Sequence, residues 1–469
     1  MSAGVRWEYY PVPQHADRGV EIFDFSTNKL LLCGLGNVPI DCGIEVQKNL
    51  FTPRVGVAYR ATDSLVFRTG FSRNPQNDNM IGNRMRNFPV NVQITDVAVG
   101  GNNFTTVGSF SDGYPRLPIL DLTQQAIDVP QGATITTNAL GRYTRGVIST
   151  FNVSAQKVLP FNITAQIGYV GNRQRNIARN QNLNYSPIGG GNASLPFNQV
   201  GLASNFRTTQ AINVVRPLGK VNYDSLQASV TRRTINGFSM TGSYTYARGI
   251  DWWAGGILIP EYWSLNKGTQ GGNTPHKLDV SAIYELPFGE GKKFLSSGGL
   301  ASAIAGGWQV NAYVSAYSGT PFTVTASNAS LNANSGQIAD QVKDNVEILG
   351  DVGVGRAWFD ATAFKPVSVA RFGTAGFNTM RGPGYANLDM GFFRTIHLQG
   401  SKNLQARIEV FNITNTPHFA NPNGNIANVV YNPDGSILAL NGFAAVTGTN
   451  SLGREYDERY IRIGVRLSF

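Results

Sequence analysis

Charge is scarce in this chain: Asp, Glu, Lys and Arg make up 14% of its 469 residues, against about a quarter in soluble globular proteins. Long apolar runs are missing too. No stretch approaches the eighteen or so consecutive apolar residues that a membrane-spanning helix requires, which excludes a helical membrane protein but not one that crosses with strands. The four histidines His15, His276, His397 and His418 stand apart in sequence, and no Gly-x-Ser-x-Gly, His-Glu-x-x-His or Cys-x-x-Cys spacing occurs. An enzyme is therefore not expected, and no cofactor or metal is called for. A hydrolase using His276 at a strand start is the minority alternative. Lys and Arg exceed Asp and Glu by ten, but they are scattered, with no basic helix or zinc spacing, so nucleic acid is not an expected partner. Cysteine occurs twice, as Cys33 and Cys42 in a Gly-rich segment. In an oxidising compartment the two would close a small disulfide loop; two separate thiols are the other possibility.

What is abundant is alternation. Tyr460-Ile461-Arg462-Ile463-Gly464-Val465-Arg466-Leu467-Ser468-Phe469 alternates to the final aromatic, so Ile461, Ile463, Val465, Leu467 and Phe469 share one face of a strand and Arg462 and Arg466 the other. An Arg facing lipid near the bilayer midplane costs roughly 2 to 4 kcal/mol, so the apolar row is the one expected to meet hydrocarbon. A half-buried strand of a soluble β-protein alternates in the same way, and the remainder of the chain must decide. Twelve such segments are expected, near Gly4–Tyr10, Arg54–Arg60, Leu65–Arg73, Ser149–Val158, Asn162–Val170, Tyr223–Arg233, Phe238–Arg248, His276–Leu286, Trp308–Tyr317, Leu388–Ile396, Leu404–Phe411 and Tyr460–Phe469.

The links between them sort by length. Short ones at Ala61–Ser64, Leu159–Phe161, Thr234–Gly237 and His397–Asn403 alternate with long ones at Asn74–Ile148, Gly171–Asn222, Gly249–Pro275, Ser318–Asn387 and Asn412–Arg459. One trimmed end and one overgrown end is the pattern of an outer-membrane barrel, with short periplasmic turns and long extracellular loops. Pro287–Gly307 breaks it, being long where a short turn is due. The expected fold is all-β: an antiparallel transmembrane β-barrel with long extracellular loops, residues 1–469 forming one partial barrel. The amino terminus carries no basic patch followed by an apolar stretch, so no secretion signal is expected within these residues and they read as the C-terminal portion of something longer.

Several ordered segments resemble the barrel region of Oar-like TonB-dependent receptors. They are Gly168-Tyr169-Val170-Gly171-Asn172-Arg173, Tyr223-Asp224-Ser225-Leu226-Gln227-Ala228-Ser229, Gly242-Ser243-Tyr244-Thr245-Tyr246-Ala247-Arg248, Tyr284-Glu285-Leu286-Pro287-Phe288-Gly289, Gly306-Gly307-Trp308-Gln309, Ser318-Gly319-Thr320-Pro321-Phe322, Arg381-Gly382-Pro383-Gly384-Tyr385 and Glu409-Val410-Phe411-Asn412-Ile413-Thr414-Asn415. The resemblance implies an outer-membrane transporter of 22 strands, of which these twelve would be the C-terminal part. It also implies a plug, and contact with the TonB energy-transducing complex through N-terminal parts that these residues do not include. Outer-membrane lipid and the barrel-assembly machinery are the other implied partners, the latter reading Tyr460, Ile461, Ile463, Val465, Leu467 and above all Phe469 as an insertion signal. Two rival readings remain: a passive pore or surface adhesion barrel without energy coupling, and a secreted soluble β-protein.

Ligand-binding candidates are weak. Trp252, Trp253, Tyr262 and Trp263 gather in one expected external loop and could stack on a flat solute or a sugar face, but girdle or loop packing is the favoured reading. The acidic Asp340-Gln341-Val342-Lys343-Asp344 lacks the spacing of a calcium loop.

Overall fold

A computed structural model describes residues 1–76, 111, 113, 121, 123–129, 132–199, 206–331, 335–398, 402–450 and 457–469. Its main element is one antiparallel sheet in which twelve strands follow one another in chain order. We number them β1 (Ser2–Glu8), β2 (Leu50–Thr62), β3 (Leu65–Pro75), β4 (Val147–Leu159), β5 (Ile163–Asn182), β6 (Ile212–Ile235), β7 (Phe238–Asp251), β8 (His276–Glu285), β9 (Trp308–Tyr317), β10 (Tyr385–His397), β11 (Asn403–Phe411) and β12 (Tyr460–Ser468). All twelve expected strands are present. Two short segments, Ile135–Asn138 beside β6 and Gly268–Thr269 beside β7, complete a sheet of 14 strands. The sheet is open between β1 and β12.

Register shows why the alternation matters. Directly paired residues lie on the same face, and the pairs link Ile461 to Val410, Val410 to Met390, Met390 to Ala312 and Ala312 to Ala282. Another row runs Leu278, Tyr244, Ala228, Ile167, Ala155, Phe67 and Tyr59 across seven strands. One apolar face therefore continues from strand to strand. The opposite face carries rows such as Gln166, Ser229, Ser243, Asp279, Ser315 and Asn387. Nothing in the described chain covers the apolar face: Ile463 is 74% exposed, and Val57, Tyr59, Phe67, Ile167, Leu226 and Val465 are exposed as well. A secreted soluble β-protein would bury that row under a second sheet, and no such layer exists among the described residues.

Turn chemistry explains the trimmed end. Asn236 and Gly237 join β6 to β7 with φ of 51° and 76°, the paired positive values that let a two-residue turn follow the twist of its strands.

At the other end, the expectation for one long link needs correcting. The link expected over Gly171–Asn222 is strand at both ends, since β5 runs to Asn182 and β6 starts at Ile212. These strands have 20 and 24 residues, where about 9 to 11 cross a bilayer. The pair therefore stands well clear of the membrane as a stiff arm, with register shifts between Gln174 and Arg179. The long loops also hold the hydrophobic core. Phe322, Val324, Phe359, Phe364, Ile426 and Phe443 form one cluster from the β9–β10 and β11–β12 loops. Phe23, Leu30, Leu32, Ile127, Phe206 and Ile212 form another around the β1–β2 loop. A third joins Ile257 and Ile259 to Leu331, Ile338, Phe372 and Phe377, with Tyr185 and Ile188 packed against it. Much of the β3–β4 loop, residues 77–110 included, lies outside the described residues.

Candidate functional site

Beneath the interlocked loops, the polar face of β4 to β8 forms a concavity of about 530 Å³. Its floor is built by strand positions whose parity the register fixes: Thr150, Asn172, Tyr223, Gln227, Thr245 and Lys277. Gln270, Asn273 and Thr274 enter from the β7–β8 loop above. Amides and hydroxyls dominate. The Asn172 side-chain N–H donates to Thr150 Oγ1 at 3.1 Å, while its buried Oδ1 has no donor among the described residues. Lys277 is the one cation of the lining, with the Asp279 carboxylate 3.8 Å away. Asp279 accepts from Tyr313 Oη at 2.8 Å and Tyr317 Oη at 2.5 Å, which anchors it in the wall. The arrangement can hold a solute by hydrogen bonding.

The loop above is pinned. Arg381, in the β9–β10 loop, donates to the Asn273 carbonyl at 2.8 Å, to Asn273 Oδ1 at 2.9 Å and to the Gly319 carbonyl at 3.1 Å. Burial pushes its guanidinium pKa below the usual value. His418, buried in the β11–β12 loop, sits with Nδ1 2.5 Å from Asp457 and Nε2 3.0 Å from the Ala386 carbonyl, and stacks on Tyr385 at 4.1 Å. That contact fastens the last loop to β10. Farther round, Glu21 in the β1–β2 loop faces His15 at 3.0 Å and Arg18 at 3.7 Å. Burial raises its carboxyl pKa against the pull of both neighbours.

The expected site residues are distributed as follows. Trp253 and Trp263 meet edge to face at 5.4 Å, and Tyr262 lies against Phe372 at 5.0 Å. Trp252 lies between the Lys220 ammonium at 4.3 Å and the Lys267 ammonium at 5.3 Å. These four aromatics pack within and between loops, and none lines the polar concavity. Cys33 and Cys42 are joined in a disulfide, with Cα atoms 5.1 Å apart. Tyr460 through Ser468 form the edge strand β12; Ile461, Ile463, Val465 and Leu467 share the apolar face, whereas Tyr460 pairs with Phe411 on the polar face. His276 is on the lipid-facing row with Nδ1 2.7 Å from Tyr244 Oη, away from the concavity. Gln227, Thr245 and Lys277 were missed as a group, although their common parity on three regular strands was readable. Gln270, Asn273 and Arg381 had no such signal.

The family model of an outer membrane beta barrel domain matches residues 1–457. The chain belongs to that family. As an outer membrane beta barrel domain it resides in the outer membrane, and the exposed apolar face is its lipid contact. No curated protein matches the barrel domain. Among solved structures it is similar to the ferripyoverdine receptor of the outer membrane of Pseudomonas aeruginosa bound to ferripyoverdine, at 9% identity and TM-score 0.41, covering 93% of this chain and 34% of that one. It is also similar to the outer membrane transporter YddB from Escherichia coli, at 10% identity and TM-score 0.39, covering 88% of this chain and 40% of that one. With the ferric citrate transporter FecA in its unliganded form the identity is 12% and the TM-score 0.37, over 90% of this chain and 38% of that one. The barrel domain thus spans well under half the length of each of these structures.

Proposed function

We propose that this barrel domain supplies the C-terminal wall and outer gate of a TonB-dependent receptor that takes up a solute across the outer membrane under energy coupling. The observation that carries this reading is the loop cap over the polar concavity: loops with their own cores, latched by Arg381, stand where an open pore has a free mouth. The long-loop end is then extracellular and the turns at Asn236-Gly237 and its counterparts are periplasmic. Amide and hydroxyl lining supports a solute rich in hydrogen-bonding groups, captured below the cap and released when an inner-membrane energy source acts on a plug. The segment similarity to Oar-like receptors supports the same reading.

The test is solute uptake by cells with and without the gene, each in the presence and absence of a protonophore. Gene-dependent uptake that collapses when the proton gradient is dissipated is the expected result. Gene-dependent uptake indifferent to the protonophore would replace this reading with the passive pore.

A further inference from the structure

The β8–β9 link, long at the end where every other link is short, has a shape that suggests its purpose. It contains the helix α1 (Leu300–Ala305), which is tied to the lipid-facing side of the wall. Trp308 lies on the apolar face opposite Arg394; the Trp308 indole N–H donates to the Ile304 carbonyl at 3.1 Å. Arg394, its guanidinium 5.8 Å from the Trp308 ring, donates to the Ala303 carbonyl. Beside this anchor, Leu300 is 79% exposed and Ile304 61%. Four residues apart, they occupy one side of the helix. The only residue that α1 buries is Ser302. Ahead of the helix, Phe288, Phe294 and Leu295 are exposed too, and the Lys293 ammonium stands 5.4 Å from the Phe294 ring.

We infer that residues 286–307 form a foot embedded in the headgroup region of the phospholipid leaflet on the short-turn side, with Leu300 and Ile304 inserted among the upper acyl chains. The foot continues the apolar belt sideways from Trp308, so it adjoins a surface already in lipid. Exposed leucine and isoleucine flanked by an indole, a guanidinium and an ammonium match the layered polarity of a membrane interface. In water the same face would be an unpartnered apolar patch. The inference rests on the outer-membrane placement and is independent of the transport reading.

The test uses Leu300→Cys carrying a bimane label, since the two native cysteines are joined to each other. Ala282→Cys on the belt and Asp63→Cys in a short turn serve as references, all in vesicles of phosphatidylethanolamine and phosphatidylglycerol. The Leu300 label is expected to be quenched by brominated acyl chains as the Ala282 label is, and to resist aqueous iodide about threefold better than the Asp63 label. Adding Ile304→Glu to Leu300→Cys should at least halve the lipid quenching while the wall keeps its gel mobility of the folded form. Iodide access equal to that at Asp63, or lipid quenching untouched by Ile304→Glu, would overturn the inference. So would shielding that appears only when a periplasmic extract is added, which would assign the face to a protein partner.

Discussion

Val280 and Ser281 are neighbours on β8 at the same depth in the wall, and they face opposite ways. Val280 pairs with Gly242 and Val314 on the apolar face, Ser281 with Thr241 and Tyr313 on the polar one. Substituting each in turn by arginine changes the same charge and nearly the same bulk one residue apart. For Val280→Arg the guanidinium enters hydrocarbon near the middle of a strand that spans His276–Glu285, at a cost of about 2 to 4 kcal/mol. Each 1.4 kcal/mol is about tenfold in an equilibrium constant, so the folding equilibrium constant at a fixed urea concentration should fall by a factor between about 30 and 700. Ser281→Arg places the same group on the wet side beside hydroxyls, and its cost should stay within about 1 kcal/mol. Urea titration in vesicles, followed by tryptophan fluorescence and by the gel mobility of the folded form, measures both. Equal costs, or a larger one for Ser281→Arg, would refute the assignment of faces on which the membrane reading depends.

Four further outcomes test other parts of the structure. Phe359→Ala removes a fully buried ring that touches Phe322, Phe364 and Phe443; it should cost the loop core about 3 to 5 kcal/mol, seen as proteolysis within residues 318–384 with the wall still inserted. Replacing Cys33 and Cys42 by serine opens a link between residues 9 apart, for which loop-closure entropy gives roughly 2 to 3 kcal/mol; faster amide exchange at Val20 and Ile22 would register it, and unchanged exchange would contradict it. Because burial holds the Glu21 carboxyl pKa above its unfolded value, the folded loop binds the extra proton, so its contribution is complete below the unfolded pKa and is lost as pH rises through the folded one; Glu21→Gln should flatten that dependence in exchange measured across the window. Deleting Phe469, 91% exposed after β12, should lower the membrane-inserted yield and leave the loops' protease pattern unchanged; an unaltered yield would remove its role as an insertion signal.

The wall was legible because lipid imposes a period of two on every strand that crosses it. Phe238 to Arg248 and Leu404 to Phe411 could be placed from alternation alone, and the register adds only which rows join. Beyond the membrane that demand lapses. In Arg173-Gln174-Arg175-Asn176-Ile177-Ala178-Arg179 both faces of β5 are polar, so nothing in the pattern distinguished a projecting arm from a loop. The loop cores were hidden for a related reason. Phe322, Phe359, Phe364 and Phe443 follow no strand or helix period and meet only because the chain returns. The concavity divides between these cases: Gln227, Thr245 and Lys277 occupy polar rows visible in sequence, while Asn273 enters it from irregular backbone, held there by Arg381 of the β9–β10 loop. The four loop aromatics stood out by composition, yet composition does not reveal that Trp253 and Trp263 are turned toward each other.

Because spatial order in the wall equals order along the chain, every strand is laid down on the exposed edge of its predecessor and none has to be slotted between two already in place. Growth at such a margin needs only the pairing of each strand with the one before it in the chain, local at the short turns and longer in range across the long loops. It also means that gaining or losing a hairpin alters the circumference without rewiring any other pairing, and an even change leaves both chain ends on the side where they were. Gene duplication can therefore resize a wall of this kind in steps of two.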